Sequence, residues 1–201
     1  AMTTWTAPRG GTMSGIAGTV DAVSQATPLA AFSTAMHSGA FEALEFESAL
    51  GNLFAGNTGG CIGETSALAL LLGALILLYR RVIGFSTPVF YIATVFILFW
   101  LFNGTGDIFA TDAVIIPVYQ ILSGGLMLGA WFMATDMVTS PMTRGGRMVF
   151  GAGCGALTFL IRKFGGYPEG VSYSILLMNL VTPLIDRYMK PKIYGKVKRR
   201  G

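Results

Sequence analysis

The stretch "VFYIATVFILFWLF", residues 89–102, carries no charge, and it lies at the centre of a longer run, residues 82–106, in which nothing charged occurs. A helix crossing about 30 Å of hydrocarbon needs about 20 mostly apolar residues, because each adds about 1.5 Å. The run is long enough to cross a bilayer. Composition points the same way: of 201 residues, 53% are hydrophobic and 12% charged, against about 25% charged in soluble domains. A soluble domain is therefore not expected.

Working outward, four more segments fit a membrane reading. "TSALALLLGALILLY", residues 65–79, has Glu64 and Arg80 at its ends, both able to reach the interfaces. "AVIIPVYQILSGGLMLGAWFMAT", between Asp112 and Asp136, contains Pro117 and the pair Gly124 and Gly125, which predict kinks or close contacts. "MVFGAGCGALTFLI" has only 14 residues between Arg147 and Arg162. Its Gly151, Gly153, Gly155 and Ala156 predict a helix packed tightly against neighbours rather than facing lipid. The fifth segment, residues 170–185, ends at "TPLIDRYM".

Upstream, "FEALEFESALGNLFAGNTGGCIG" places Phe41, Leu44, Leu50, Leu53 and Phe54 at roughly helical spacing beside Glu42, Glu45 and Glu47. That pattern predicts a short amphipathic helix, either interfacial or half-inserted ahead of the turn "GNTGG". The expected fold is an all-α membrane protein with about five transmembrane helices plus this short interfacial or re-entrant helix. Four regions follow: 1–40, an extracytoplasmic segment; 41–63, the amphipathic helix and glycine-rich turn; 64–189, the five-span membrane domain; 190–201, a basic tail.

Lysine and arginine are retained on the cytoplasmic side of a membrane. Alternating five spans puts "RRVIGFS", "SPMTRGGR" and the tail "RYMKPKIYGKVKRR" on one face, with two, two and seven basic residues, 11 of the chain's 14. Arg9, Arg162 and Lys163 fall opposite. The C-terminus is thus expected to be cytoplasmic and residues 21–32 to face outward. The start "AMTTWTAPRGG" shows no basic region followed by an apolar run, so no signal peptide is expected there.

Few residues suggest chemistry of their own. Cys61 and Cys154 lie 93 positions apart without a CxxC or Cys/His spacing, and both read as buried small residues. There is no glycine-rich dinucleotide fingerprint and no cysteine cluster, so neither NAD binding nor a full iron–sulfur centre is expected of this chain. Glu64, Asp107, Asp112, Asp136, Glu169 and Asp186 all sit near segment ends. With no carboxylate in mid-membrane, any ion path along this chain would rest on backbone carbonyls at broken helices or on another polypeptide. His37 reads as a solvated loop residue, and nothing points to nucleic acid.

The polar run "DAVSQATPLAAF", residues 21–32, stands apart. "DAVSQAT" fits D-x-x-S/T-x-A-T and resembles the flavinylation motif of proteins modified by a periplasmic-type flavin transferase, which moves an FMN unit from FAD onto the final threonine as a phosphoester. The resemblance makes Thr27 the acceptor, with Asp21, Ser24 and Ala26 as motif residues that the transferase reads. Read without it, the same residues suit a capped helix start, with Thr27 ahead of Pro28.

"IGETSALALLLG", "GAWFMATDMVTSP", "TRGGRMVFGAGCGALTFLIRKFGGYPEGVSYSILLMN" and "PLIDRYMKPKIYG" together resemble the second half of the RnfD/NqrB family of membrane proteins. One branch, RnfD, belongs to the Rnf-type ferredoxin:NAD oxidoreductase, the other, NqrB, to the sodium-pumping NADH:quinone oxidoreductase. They share much of the pattern, but "FGGYPEGV" and the ending are closer to the Rnf version. The resemblance implies a membrane electron-transfer subunit carrying covalent FMN, in a complex that passes electrons from ferredoxin to NAD while pumping sodium or protons outward. Implied partners are other Rnf-type membrane subunits, including a second FMN subunit and iron–sulfur subunits, the flavin transferase and the lipid bilayer of a bacterial or archaeal cell membrane. Members of the family are longer, with a preceding first half of an internal repeat similar to the urea-transporter fold. Arg162 and Lys163 are then candidates to sit beside the FMN phosphate or a reduced, anionic flavin, against the plainer reading of snorkelling at a helix end; Tyr167, Pro168 and Glu169 share their loop. The competing readings are the quinone-reducing relative and a urea-transporter-like channel without redox function.

Overall fold

The computed structural model describes residues 27–30, 32, 46–56, 65–102, 111–165 and 169–189, which are all helix, turn or loop, without a strand among them. The helices are α1 (Phe46–Ala55), α2 (Ala67–Tyr79), α3 (Ser86–Leu101), α4 (Thr111–Leu122), α5 (Leu126–Leu128), α6 (Arg144–Phe164) and α7 (Val171–Tyr188); α5 runs straight into a π turn, Gly129–Met133. Local signals explain several boundaries. Ser66 and Thr143 cap α2 and α6 by accepting from the amides of Ala69 and Gly146, at 3.3 and 3.0 Å. Gly56 ends α1 at φ +93°, a left-handed conformation that suits glycine.

All five expected segments are helical, but they are not five straight crossings. Among the described residues no single helix is long and apolar enough to cross a membrane. α2 and α3 are apolar but have 13 and 16 residues, about 20 and 24 Å of rise. α6 and α7 have 21 and 18 residues, yet glycines, hydroxyls and terminal charges dilute their hydropathy. The third segment passes only as a bent pair, Val114–Leu122 with Leu126–Met133, at 72°. Its bend falls at Gly124 and Gly125, whereas Pro117 stays inside α4. The fourth segment, short when counted between arginines, becomes the longest helix because Arg144, Arg147, Arg162 and Lys163 lie within it.

The core joins α3, α6 and α7 through Tyr91, Val95, Phe99, Phe150, Cys154, Phe159, Val171, Ile175 and Met178. The glycines of α6 set its distance from α3: a Cβ on Gly151 would lie 2.6 Å from the carbonyl oxygen of Thr87, and one on Gly155 2.9 Å from that of Tyr91. The tight packing expected of "GAGCGA" is what these residues do. Three buried hydroxyls close the same interface, with Tyr91 to Thr158 at 2.7 Å, Tyr91 to Ser174 at 3.0 Å and Thr158 to Ser174 at 2.8 Å. The exterior is apolar: Leu75, Ile76 and Leu180 are 62%, 62% and 79% exposed, the reverse of a water-facing helix surface.

α1 corresponds to the amphipathic helix. Its Leu53 is buried and Leu50 half-buried against Ile116 and Tyr119 of α4, while Phe54 faces outward. Phe41 and Leu44, and the regions 1–40 and 190–201 apart from residues 27–30 and 32, lie outside the described residues.

Candidate functional site: a broken helix under the Thr27 segment

A helix break leaves carbonyls without partners at the end of one half and amides without partners at the start of the next. Here the break is residues 123–125, with Gly124 at φ +70°. Arg162, in the last turn of α6 and only 6% exposed, fills the carbonyl side. One terminal nitrogen donates to the backbone carbonyl of Gln120 and, at 3.0 Å, to its side-chain oxygen; the other lies 3.4 Å from the carbonyl of Ser123. Glu169 takes the amide side, accepting from Gly125 N–H at 2.6 Å. Each charge thus meets the helix end of opposite partial charge. Ser123 Oγ is buried at the break and has no hydrogen-bond partner among the described residues.

The segment beginning at Thr27 docks on this break. Pro28 to Ala30 and Phe32 are helical, and Thr27 Oγ1 accepts from the Ala30 amide at 3.3 Å. The Tyr119 hydroxyl donates to the Pro28 carbonyl at 3.1 Å, and the Phe32 ring stacks on Tyr119 with centroids 5.2 Å apart. Leu29 is buried directly over Gly124, where a Cβ would come within 2.8 Å of its methyl, 3.1 Å of Glu169 and 3.3 Å of Arg162. Glycine at 124 therefore serves both the backbone conformation and the close approach of three side chains.

Thr27 and Arg162 are thus brought to one region, but Arg162 is directed into the helix break. Lys163 caps the other neighbour: its ammonium donates to the Phe102 carbonyl at the end of α3, at 2.6 Å, and lies 5.3 and 5.6 Å from the ring centres of Phe102 and Phe159. Asp21, Ser24, Ala26, Tyr167, Pro168, His37 and Cys61 lie outside the described residues. Cys154 is buried with a free thiol, as expected. Asp136 and Asp186 accept from Thr139 Oγ1 and the Met142 amide, each at 3.2 Å; Asp136 lies in a loop as expected, whereas Asp186 lies within the last turn of α7. The sequence reading missed Gln120, Ser123 and Tyr119. For two of them the signal was there, since Gln120 and Ser123 are polar residues inside an apolar segment, four positions and one position ahead of Gly124.

Fold and site together define, over the described residues, an all-helical membrane-type protein with an apolar exterior, organised around a broken helix whose ends are held by buried Arg162 and half-buried Glu169. More particularly, the chain belongs to the NQR2, RnfD, RnfE family, whose profile matches residues 1–195. It is 50% identical over 196 residues to the D subunit of the proton-translocating ferredoxin:NAD(+) oxidoreductase complex of Clostridium ljungdahlii, covering 97% of this chain and 56% of that protein. It is 47% identical over 180 residues to the D subunit of the Na(+)-translocating ferredoxin:NAD(+) oxidoreductase complex of Acetobacterium woodii, covering 89% and 51%. The D subunit of the ion-translocating oxidoreductase complex of Stutzerimonas stutzeri is 43% identical over 181 residues, 89% of this chain and 50% of that protein. The chain spans about half the length of the curated relatives it matches.

Proposed function

We propose that this chain is a membrane electron-transfer subunit of an Rnf-type ferredoxin:NAD oxidoreductase complex, that Thr27 carries FMN through a phosphoester, and that the complex couples electron flow to movement of sodium or protons. The relatives supply the class of complex. The observation that carries the flavin reading is the seat of Thr27: a motif threonine on a short segment anchored through Leu29, Phe32 and the Pro28 carbonyl to a broken helix.

The geometry of Thr27 fits the group. Its oxygen acts as an acceptor, towards Ala30 N–H, and its own proton is given to no acceptor among the described residues. Replacing that proton by phosphorus keeps the existing hydrogen bond. FMN so attached supplies one-electron and two-electron redox chemistry. Tyr119, Leu29 and Phe32 hold the attachment point. Arg162 and Glu169 keep the broken helix beneath it in one conformation. The apolar exterior supports placement in a bilayer. The basic loops "RRVIGFS" and "SPMTRGGR", together with the C-terminal tail, suit its cytoplasmic side, which puts Thr27 outside. The partners proposed are the other membrane subunits of such a complex, one with a second FMN and others with iron–sulfur centres, and a flavin transferase for maturation.

The test is co-expression with an active flavin transferase, followed by in-gel fluorescence and intact mass. Wild type is expected to fluoresce and to weigh one FMN unit more, and Thr27→Ala to show neither. An unmodified wild type beside a control substrate that is modified in the same cells would remove the flavin assignment.

A further inference from the structure

At the other end of α6, about 22 Å from the helix break as measured along the helix between Arg147 and Arg162, the loops after α2 and after the π turn enclose a pocket. It offers about 30 Å³ of room for water-sized groups, with Gly84, Thr87, Thr135, Ser140 and Arg147 in its wall and Val82 and Met137 at its rim. We infer that this pocket binds the phosphoryl group of an anionic phospholipid.

Arg147 is fixed in place. Its Nε donates to the Pro141 carbonyl at 3.0 Å, and a Cβ on Gly84 would stand 3.0 Å from one terminal nitrogen, so a glycine admits the guanidinium. Neither terminal nitrogen has an acceptor among the described residues, and the wall contains no carboxylate. The charge is therefore directed at the pocket without a counter-ion from the lining. Thr87 gives an independent sign of a ligand. It is 2% exposed and lines the pocket, so the little of it that is accessible faces the cavity, where its hydroxyl can bond a group that enters. Thr87 also sits in the first turn of α3, whose N-cap Phe85 supplies no side-chain hydrogen bond, so amides there remain available to an anion. Thr135 spends its proton on the Trp131 carbonyl at 2.7 Å, leaving Arg147, Thr87 and Ser140 as the side-chain donors.

The rim selects a lipid over a free anion. Val82 and Met137, both lining the pocket, are 51% and 77% exposed. A collar of that kind suits the glycerol and upper acyl region of a lipid, with the headgroup phosphate held by Arg147. Arg80, Arg81 and Arg144, exposed at the same end, draw anionic headgroups toward it. The inference stands apart from the flavin reading, since it shares no residue with the Thr27 region.

The test is native mass spectrometry of the purified full chain in detergent. Phosphatidylglycerol is titrated in competition with phosphatidylcholine, and separately with inorganic phosphate. One phosphatidylglycerol is expected to be retained, with about tenfold weaker binding in Arg147→Gln and about threefold in Thr87→Val, and a smaller loss than either in Arg80→Gln, which removes only part of the surrounding surface charge. Thr87→Val, which keeps the branched shape of the side chain, guards against a trivial effect of Arg147→Gln on folding. Equal binding by wild type and both variants would overturn the site. Equal loss in Arg80→Gln would reduce it to diffuse surface charge, and retention of phosphatidylcholine as tight as phosphatidylglycerol would remove the anionic selectivity. Inorganic phosphate that displaces the lipid at equal concentration would make the pocket a free-anion site and overturn the lipid assignment.

Discussion

Arg162 and Gln120 meet across the helix break: a single terminal nitrogen of the α6 arginine bonds both the backbone carbonyl of Gln120 and, at 3.0 Å, its side-chain oxygen. That contact turns what would be loose helix ends into a fixed corner. Truncating the arginine strands the carbonyls of Gln120 and Ser123 in a buried place. Arg162→Met is expected to cost about 2–4 kcal/mol, because charge-assisted bonds are lost and their acceptors stay desolvated. Arg162→Lys is expected to recover only part of this, since an ammonium cannot reproduce the planar fork. Glu169→Gln keeps an oxygen for the Gly125 amide and should cost about 1 kcal/mol. Thermal unfolding in detergent measures all three. A loss in Glu169→Gln as large as in Arg162→Met would show that the carboxylate's charge holds the corner as much as the arginine does.

Gly151 makes a second, sharper prediction. An added methyl at 2.6 Å from the Thr87 carbonyl meets backbone, which cannot swing away as a side chain can. Gly151→Ala must push α3 from α6 and is expected to destabilise by about 1–3 kcal/mol. Gly51, exposed in α1 with nothing within 4 Å of a Cβ, gives the opposite sign: Gly51→Ala should stabilise by up to about 1 kcal/mol through helix propensity and chain entropy. Unfolding midpoints that move in the same direction for both would sink the packing account.

How much of this is legible in the sequence differs by element. "MVFGAGCGALTFLI" announces its close packing, because small residues at helical spacing have one common use between helices. "ILSGGLM" announces a kink, because two glycines in an apolar helix weaken it where nothing compensates. What fills that kink is not legible: Arg162 and Glu169 lie 37 and 44 positions beyond Gly125, and only the tertiary packing brings them back. Counting apolar residues between charges also misjudges α6, since Arg147 and Arg162 are part of the helix they were used to delimit. Arg162 stands out as an exception to the basic-inside bias, but that observation alone does not separate a ligand-binding cation from a helix-capping one.

The hydroxyl triangle of Tyr91, Thr158 and Ser174 should tolerate loss of one corner. Thr158 and Ser174 donate to the carbonyls of Cys154 and Val171, at 2.8 and 2.7 Å, so Tyr91→Phe leaves neither without a partner. The expected cost is about 1 kcal/mol. Thr158→Val removes more contacts and should cost more, while the double variant should lose less than the two single losses added together. Strict additivity in unfolding experiments would mean that the triangle is a geometric coincidence without energetic coupling.

Docking of the Thr27 segment predicts an order of events. Thr27 is half-buried, Leu29 and Phe32 are 4% and 1% exposed, and the Phe32 ring stacks on Tyr119 at 5.2 Å. On the proposed flavin reading, a threonine held in this way must leave α4 with its segment before it can enter the active site of a separate transferase. Loosening the anchor should therefore speed modification. Phe32→Ala and Tyr119→Phe are both expected to raise the initial rate of FMN attachment, Phe32→Ala more, because it removes the larger buried contact, and Tyr119→Phe less, because it gives up one hydrogen bond to Pro28. Limited proteolysis after residue 32 should rise in the same order. Modification of Phe32→Ala at the wild-type rate, with proteolysis increased, would show that the docked segment is already acceptable to the transferase and that release is not required.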